Sequence, residues 1–263
     1  MVDLIEETIS TIRGREAKIH AVREFLQLLV LKIIYDKRYF KNLAFVGGTA
    51  LRFLYDLRRF SEDLDFSVID RKGYKFPTFL DRMVLELENT GFSLDAKKGG
   101  EGTVQSAMLR FKGILYPLGL SPIKTQKLSI KLEVDTNPPK GWDTRISPVS
   151  RHFVFAVTHF DVPSLYATKL HACFFRKYTK GRDFYDLLWY LGNKVQPNFR
   201  LLNNAINQAE NRQGNVNERN FKDFLRKKLA DVDFVKARKD VRRFIEDKNE
   251  LRMLDRDLIL KLI

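Results

Sequence analysis

Between residues 16 and 39 the apolar side chains Ile19, Val22, Phe25, Leu26, Leu29, Val30, Ile33 and Ile34 recur at steps of three and four, with Arg23, Glu24 and Lys32 between them. That period predicts one long amphipathic helix. A short apolar run, Leu43 to Val46, then stops at Gly47-Gly48, and Thr49 to Leu57 resumes helical spacing. A strand, a tight turn and a helix N-terminus follow in direct succession. Next, Leu64, Phe66 and Val68 alternate with Asp63, Asp65 and Ser67. A period of two marks a half-buried strand and puts both aspartates on one face.

Pro77 in a first turn opens a helix through about Asn89, which Thr90-Gly91 closes. Gly99-Gly100-Glu101-Gly102 reads as a flexible turn between strands, and Thr103 to Phe111 as a strand. From Gln126 to Asp135 a further strand alternates Leu128, Ile130, Leu132 and Val134 against Lys127, Ser129, Lys131, Glu133 and Asp135. Asn137-Pro138-Pro139-Lys140-Gly141 breaks that pattern, and two short strands are expected over Arg145 to Val149 and Phe153 to Val157. After Asp161-Val162-Pro163-Ser164 the spacing is helical to the end. Leu165 to Arg176 and Arg182 to Leu191 form two helices joined by Lys177 to Gly181, and three or four more fill Asn198 to Ile263. The chain therefore divides into a sheet-bearing core over residues 1–160 and a helical lobe over residues 161–263, with no internal repeat.

Composition narrows the class. With 44% hydrophobic and 30% charged residues in 263, the chain has the make-up of a globular protein. Its formal charge of +14 favours anionic partners, nucleic acid first among them, although a well-solvated basic surface gives the same number. A single cysteine, Cys173, rules out an internal disulfide and a cysteine-rich zinc site. The acidic start Met1 to Glu7 lacks the basic region of a signal peptide, and the most apolar run, Phe25 to Tyr35, is too short to span a bilayer. A cytoplasmic protein with no membrane partner is expected.

The candidate chemistry lies in two places. Asp63 and Asp65, at i and i+2 on one strand face, could converge on one hard cation such as Mg2+, or could be exposed strand residues neutralised by Arg52, Arg58 or Arg59. Gly47-Gly48 before a helix lets backbone approach a phosphate, which the free N–H groups and the helix dipole would favour; it is also a common strand-to-helix connector. Thr49 would add a hydroxyl donor. In the helical lobe Lys169 projects from a largely apolar helix, and Asp183 and Asp186 share a face one turn apart. Lysines often only snorkel from such helices, and an acid near a helix N-terminus is favoured by the dipole alone. The four histidines show no ligand spacing, and no Gly-x-Ser-x-Gly elbow or Walker lysine is present.

Taken together, Gly47-Gly48-Thr49-Ala50-Leu51 followed by Arg59-Phe60-Ser61-Glu62-Asp63-Leu64-Asp65-Phe66 resembles the signature of the AbiEii/AbiGii toxin family, within the DNA polymerase beta-like nucleotidyltransferase superfamily. The resemblance covers about Leu43 to Leu191, including Arg182-Asp183-Phe184-Tyr185-Asp186-Leu187, which is similar to the family's Arg-Asp-x-x-Asp-Leu segment. It implies an α+β fold with a mixed sheet, flanking helices and a helical C-terminal lobe. It also implies Mg2+ or Mn2+ at Asp63, Asp65 and a third carboxylate, either Glu133 or Asp135, with Glu133 favoured by its Lys-x-Glu setting. Gly47, Gly48, Thr49, Ser61 and Lys169 would bind the NTP, and Lys169, Asp183 and Asp186 would join the two aspartates in catalysis. The implied activity is transfer of NMP from an NTP to an acceptor hydroxyl, with the tRNA 3′ end as the best acceptor and a cognate antitoxin as partner. A catalytically silent module binding nucleic acid or antitoxin, and an enzyme that nucleotidylates proteins, are the alternatives.

Overall fold

The computed structural model describes residues 1–100, 102–176, 178–211 and 213–263. Glu101 of the expected glycine turn and Lys177 of the expected helix connection lie outside them. The fold is α+β, and the chain divides into two compact units. The first comprises Met1–Thr49, Ser61–Pro138 and Ile146–His159. The second comprises Ala50–Phe60, Pro139–Arg145 and Phe160–Ile263, so it takes up two segments that precede the helical stretch in sequence.

The first unit is built on a seven-stranded mixed sheet. In chain order its strands are β1 (Leu43–Val46), β2 (Asp63–Val68), β3 (Leu94–Gly99), β4 (Val104–Phe111), β5 (Leu128–Asp135), β6 (Thr144–Ser150) and β7 (Val154–Phe160), arranged β3-β4-β5-β2-β1-β7-β6. β1 and β2 run antiparallel, whereas β2 and β5 pair in parallel across more than sixty residues of sequence. Helix α1 (Val2–Ser10), not among the expected elements, buries Ile5 and Ile9. Helix α2 (Arg15–Asp36) differs from the amphipathic expectation. Leu28 and Leu31 lie off the predicted stripe, yet they are buried beside Phe25, Leu26, Leu29 and Val30, so its second half is enclosed on nearly every side. Gln27 is enclosed with them and donates its amide N–H to the Ser61 carbonyl at 3.2 Å, which holds the chain entering β2. Helix α3 (Gly47–Leu54) follows β1 without a loop, and α4 (Phe76–Asn89) opens on Pro77 as its sequence predicts.

The second unit is helical. α5 (Val162–Phe175) is capped by Asp161, whose carboxylate accepts the Ser164 N–H at 2.9 Å. α6 (Gly181–Gly192) packs on α5 through the Tyr166 and Tyr190 rings, stacked with centroids 4.3 Å apart. Beyond them are α7 (Phe199–Glu210), α8 (Phe221–Ala230), α9 (Phe234–Val241) and α10 (Arg256–Leu260), with short 3₁₀ segments at Arg242–Phe244 and Lys248–Met253. Gly181 is where α6 meets α9. A Cβ there would run into the Ala237 carbonyl, 2.8 Å from its carbon, and the Gly181 N–H donates to Asp240 at 2.7 Å. Among the described residues no helix is long and apolar enough to cross a membrane.

Candidate active site

The strand, turn and helix read from residues 43–57 become a tight junction. Gly47 has a φ of +79°, a region that side chains disfavour, and a Cβ added to it would strike the Asp65 carboxylate, 3.0 Å from its Cγ. Glycine thus serves both the turn and the space above an acid. Val46 stands opposite Asp65 in the antiparallel register, which fixes that approach. Gly48 and Thr49 occupy the first turn of α3, whose N–H groups lack intrahelical acceptors. Thr49 itself is fully buried, and its hydroxyl donates to the Asp63 carbonyl. That hydroxyl, expected to meet a phosphate, instead ties the helix to β2, so the group left for a ligand is the backbone N–H. Ser61, just before β2, is buried.

β2 alternates as predicted through Phe66, with Leu64 and Phe66 facing the core and Asp63 and Asp65 half-buried on the other face, whereas Ser67, expected on that polar face, is buried. The parallel pairing with β5 sets Asp63 beside Lys131, Asp65 beside Glu133 and Ser67 beside Asp135. Residues at steps of two share a face, so Glu133 joins the two aspartates while Asp135 stands one step beyond them. Asp135 is also otherwise engaged: its carboxylate accepts the Asn137 N–H at 2.8 Å, and burial raises its pKa against Asn137 and Arg71. Lys131 lies among the three acids and bonds Glu133 at 2.8 Å. Partial burial works against its ammonium, yet Glu133, Asp63 and Asp65 together raise its pKa above the ordinary lysine value.

An all-carboxylate donor set suits a hard divalent cation. The face that Asp63, Asp65 and Glu133 share fits one as well. Among the described residues no three His, Cys, Asp or Glu side chains are gathered closely enough to form a metal-binding group. Lys131 meanwhile provides positive charge at this face.

The other predicted residues come together in the second unit. Lys169 on α5 reaches the Asp183 and Asp186 carboxylates of α6, each at 2.8 Å. Arg59 grips Asp186 with two bonds of 2.6 and 2.7 Å, and Arg176 holds Asp183 at 2.7 Å. The side chains of Arg59 and Asp186 are 3% and 0% exposed. Burial alone would raise the Asp183 carboxyl, but Lys169 and Arg176 hold it below the usual carboxylate range. Burial likewise opposes the Lys169 charge, and Asp183 and Asp186 override it, so that its pKa is raised. Cys173 is half-buried beside Asp183, and burial pushes its thiol up. The partner of Arg59 is thus Asp186 and not the Asp63–Asp65 pair it was expected to neutralise. The available signal was its place at the head of the Arg-Phe-Ser-Glu-Asp-Leu-Asp motif.

A family model described as nucleotidyl transferase AbiEii toxin, Type IV TA system, matches residues 29–257. That is most of the chain and reaches well past the motifs. The solved structure of JHP933 from Helicobacter pylori is similar over 92% of each chain, at 20% identity and a TM-score of 0.54. A second H. pylori structure, provisionally named a nucleotidyltransferase, is similar over 91% of this chain and 93% of its own, at 19% identity and a TM-score of 0.53. At such identities the likeness is one of fold. No curated protein matches the chain.

Proposed function

The chain belongs to the AbiEii nucleotidyl transferase toxin family of type IV toxin–antitoxin systems, and on that premise we propose that it is a Mg2+-dependent nucleotidyltransferase acting on the 3′ end of tRNA. It moves NMP from an NTP to the acceptor hydroxyl and releases pyrophosphate in the cytoplasm, and a cognate antitoxin protein holds it in check. The observation that carries this reading is the register that puts Asp65 beside Glu133, with Asp63 on the same face and Gly47 pressed against Asp65.

Asp63, Asp65 and Glu133 would hold the ion, which when bound neutralises charge at the transferring phosphoryl group and favours the attacking hydroxyl. Mn2+ has the same donor preference and would substitute. The Gly48 and Thr49 N–H groups, at the positive end of α3, favour the negative charge of a triphosphate, and Gly47 and Ser61 shape the turn around it. Lys169 keeps the phosphate-binding role that its motif implies. Two of its N–H groups are committed to Asp183 and Asp186, which hold it charged and oriented, and an ammonium has a third to donate. Support for a nucleic-acid acceptor is the +14 charge, which would make binding fall steeply with added salt.

Incubation with labelled NTPs, Mg2+ and either total RNA or total protein tests the proposal. Label is expected in RNA of tRNA size, and none with Asp63→Ala or Asp65→Ala. Label in protein instead would make this a protein-nucleotidylating enzyme. No transfer to either class would leave a binding module of the same fold.

A further inference from the structure

A cavity of about 300 Å3 opens in the second unit between α6 and the 3₁₀ segment Lys248–Met253, lined by Arg58, Tyr185, Leu188, Trp189, Glu250 and Met253. We propose that it is a binding site for a nucleobase, and the proposal rests on the nucleotidyltransferase reading above.

Tyr185 and Trp189 are four residues apart on α6 and Leu188 lies between them, so one helix face carries two aromatic rings and an apolar side chain. Met253, 43% exposed, adds a thioether from the other side. These walls suit a flat, apolar ring. The rim is polar and already half-satisfied. Glu250 accepts the Tyr185 hydroxyl and pairs with Arg58 at 3.3 Å, so its charge is neutralised within the wall. What the rim still offers is donors. The Arg58 side chain is 68% exposed and keeps N–H groups to spare, and the Trp189 indole N–H has no acceptor among the described residues. A ligand complementary to this cavity has π faces and acceptor atoms at its edge, which describes a purine or pyrimidine and does not describe an aliphatic side chain. The volume is at the low end of ligand pockets, roughly 300–1,000 Å3, and holds one base with its sugar rather than a duplex. Stacking on aromatic side chains tolerates any base, and a chain of charge +14 draws the phosphates that accompany one.

The base could come from the NTP or from an unpaired nucleotide of an RNA. The experiment separates the two. The sequence has two tryptophans, Trp142 and Trp189, and Trp142 stacks on Phe160 away from the cavity lining. In a Trp142→Phe background, Trp189 fluorescence is titrated with each NTP in one arm and with a single-stranded 12-mer oligoribonucleotide in the other. Saturable quenching is expected in at least one arm, and the arm that responds identifies the source. Leu188→Glu places a carboxylate on the stacking face and is expected to raise the half-saturating concentration tenfold or more, the order that loss of one stacked base implies. Met253→Ala, at an exposed position, is expected to raise it about threefold. If Trp142→Phe does not fold, the difference in quenching between the native protein and Trp189→Phe gives the same reading. No Trp189 response to either probe overturns the site, and so does a response that Leu188→Glu leaves unchanged. Label transfer measured on the same preparation keeps the two claims apart. Transfer without a Trp189 response removes the base site alone, and a Trp189 response without transfer keeps the site and removes the enzymatic reading.

Discussion

Two charged assemblies stand in this protein, and they are built in opposite ways. On β2 and β5, Asp63, Asp65 and Glu133 share a face with Lys131, and all are half-exposed. On α5 and α6, Asp183 and Asp186 are shared by Lys169, Arg59 and Arg176, and the innermost pair is sealed from solvent. Among the groups named, the first has more carboxylates than cations, and the second has more cations than carboxylates. A surplus of negative charge in contact with water is tolerable and attracts a cation. A buried set must neutralise itself, because the desolvation of each charge costs several kcal/mol unless a partner stands against it. Under the proposed function the first assembly receives the cation, while the second holds helices and a lysine in place.

The largest expected effect tests the open face. Asp65→Asn keeps shape and removes one charge, and transfer should fall about a thousandfold or more, which is at least about 4 kcal/mol of transition-state stabilisation. Stability should hold or rise, because one of two crowded like charges has gone. Rate and melting temperature measured together decide the point. A melting temperature that drops with the rate would make the acid face structural and erase the contrast.

Next in size is the closed cluster. Asp186→Ala strips Arg59 of its bidentate partner in a site that water does not reach, and removing one side of a buried pair costs roughly 3 kcal/mol or more. Urea unfolding should show a lower midpoint, with the loss much reduced when Arg59→Met is added, since the two changes share one contact. Additive losses would mean that the pair does not act as a unit.

The two assemblies were unequally legible in the sequence. Alternation along residues 63–68 was enough to put Asp63 and Asp65 on one face, because that depends on local period alone. The identity of their neighbour was not local. Glu133 reaches Asp65 through a parallel pairing that skips β3 and β4, and nothing in residues 126–135 states which strand they will meet. Likewise Asp183 and Asp186 announced themselves by helical spacing, but Arg59 lies 127 residues from Asp186 and belongs to a segment that leaves the first unit for the second. The Thr49 hydroxyl shows the same limit on a smaller scale. Its residue type fits a phosphate donor, and only the fold reveals that a carbonyl fourteen residues away takes the bond.

A smaller effect should appear with pH. The Asp183 carboxyl is held low in the folded protein, so the stability it contributes is present above its unfolded value of about 3.9 and is lost as pH falls through the lower folded value. Lys169 is shifted the other way. Its contribution is complete below about 10.4 and declines only as pH rises toward the raised folded value. The cluster should therefore be insensitive to pH between about 5 and 9. An acid limb should begin below about pH 5, and Asp183→Asn should flatten it in a series of urea midpoints.

The smallest effect bears most directly on the open face. Lys131 bonds Glu133 and lies in the field of both aspartates, so an incoming divalent cation must compete with an ammonium already there. The side chain is 40% exposed, so solvent screens that competition to the scale of a surface ion pair, below about 1 kcal/mol. Lys131→Met keeps the aliphatic stem and removes the charge. The Mg2+ concentration giving half of the metal-induced rise in melting temperature should then fall about two- to fivefold. In an Asp63→Ala background the rise itself should shrink, and Lys131→Met should add little, because the site it competes for has lost a ligand. Weaker Mg2+ binding in Lys131→Met alone would mean that the lysine orients Glu133 for the ion rather than standing in for it. The acid face would then resemble the closed cluster more than its half-exposed position implies.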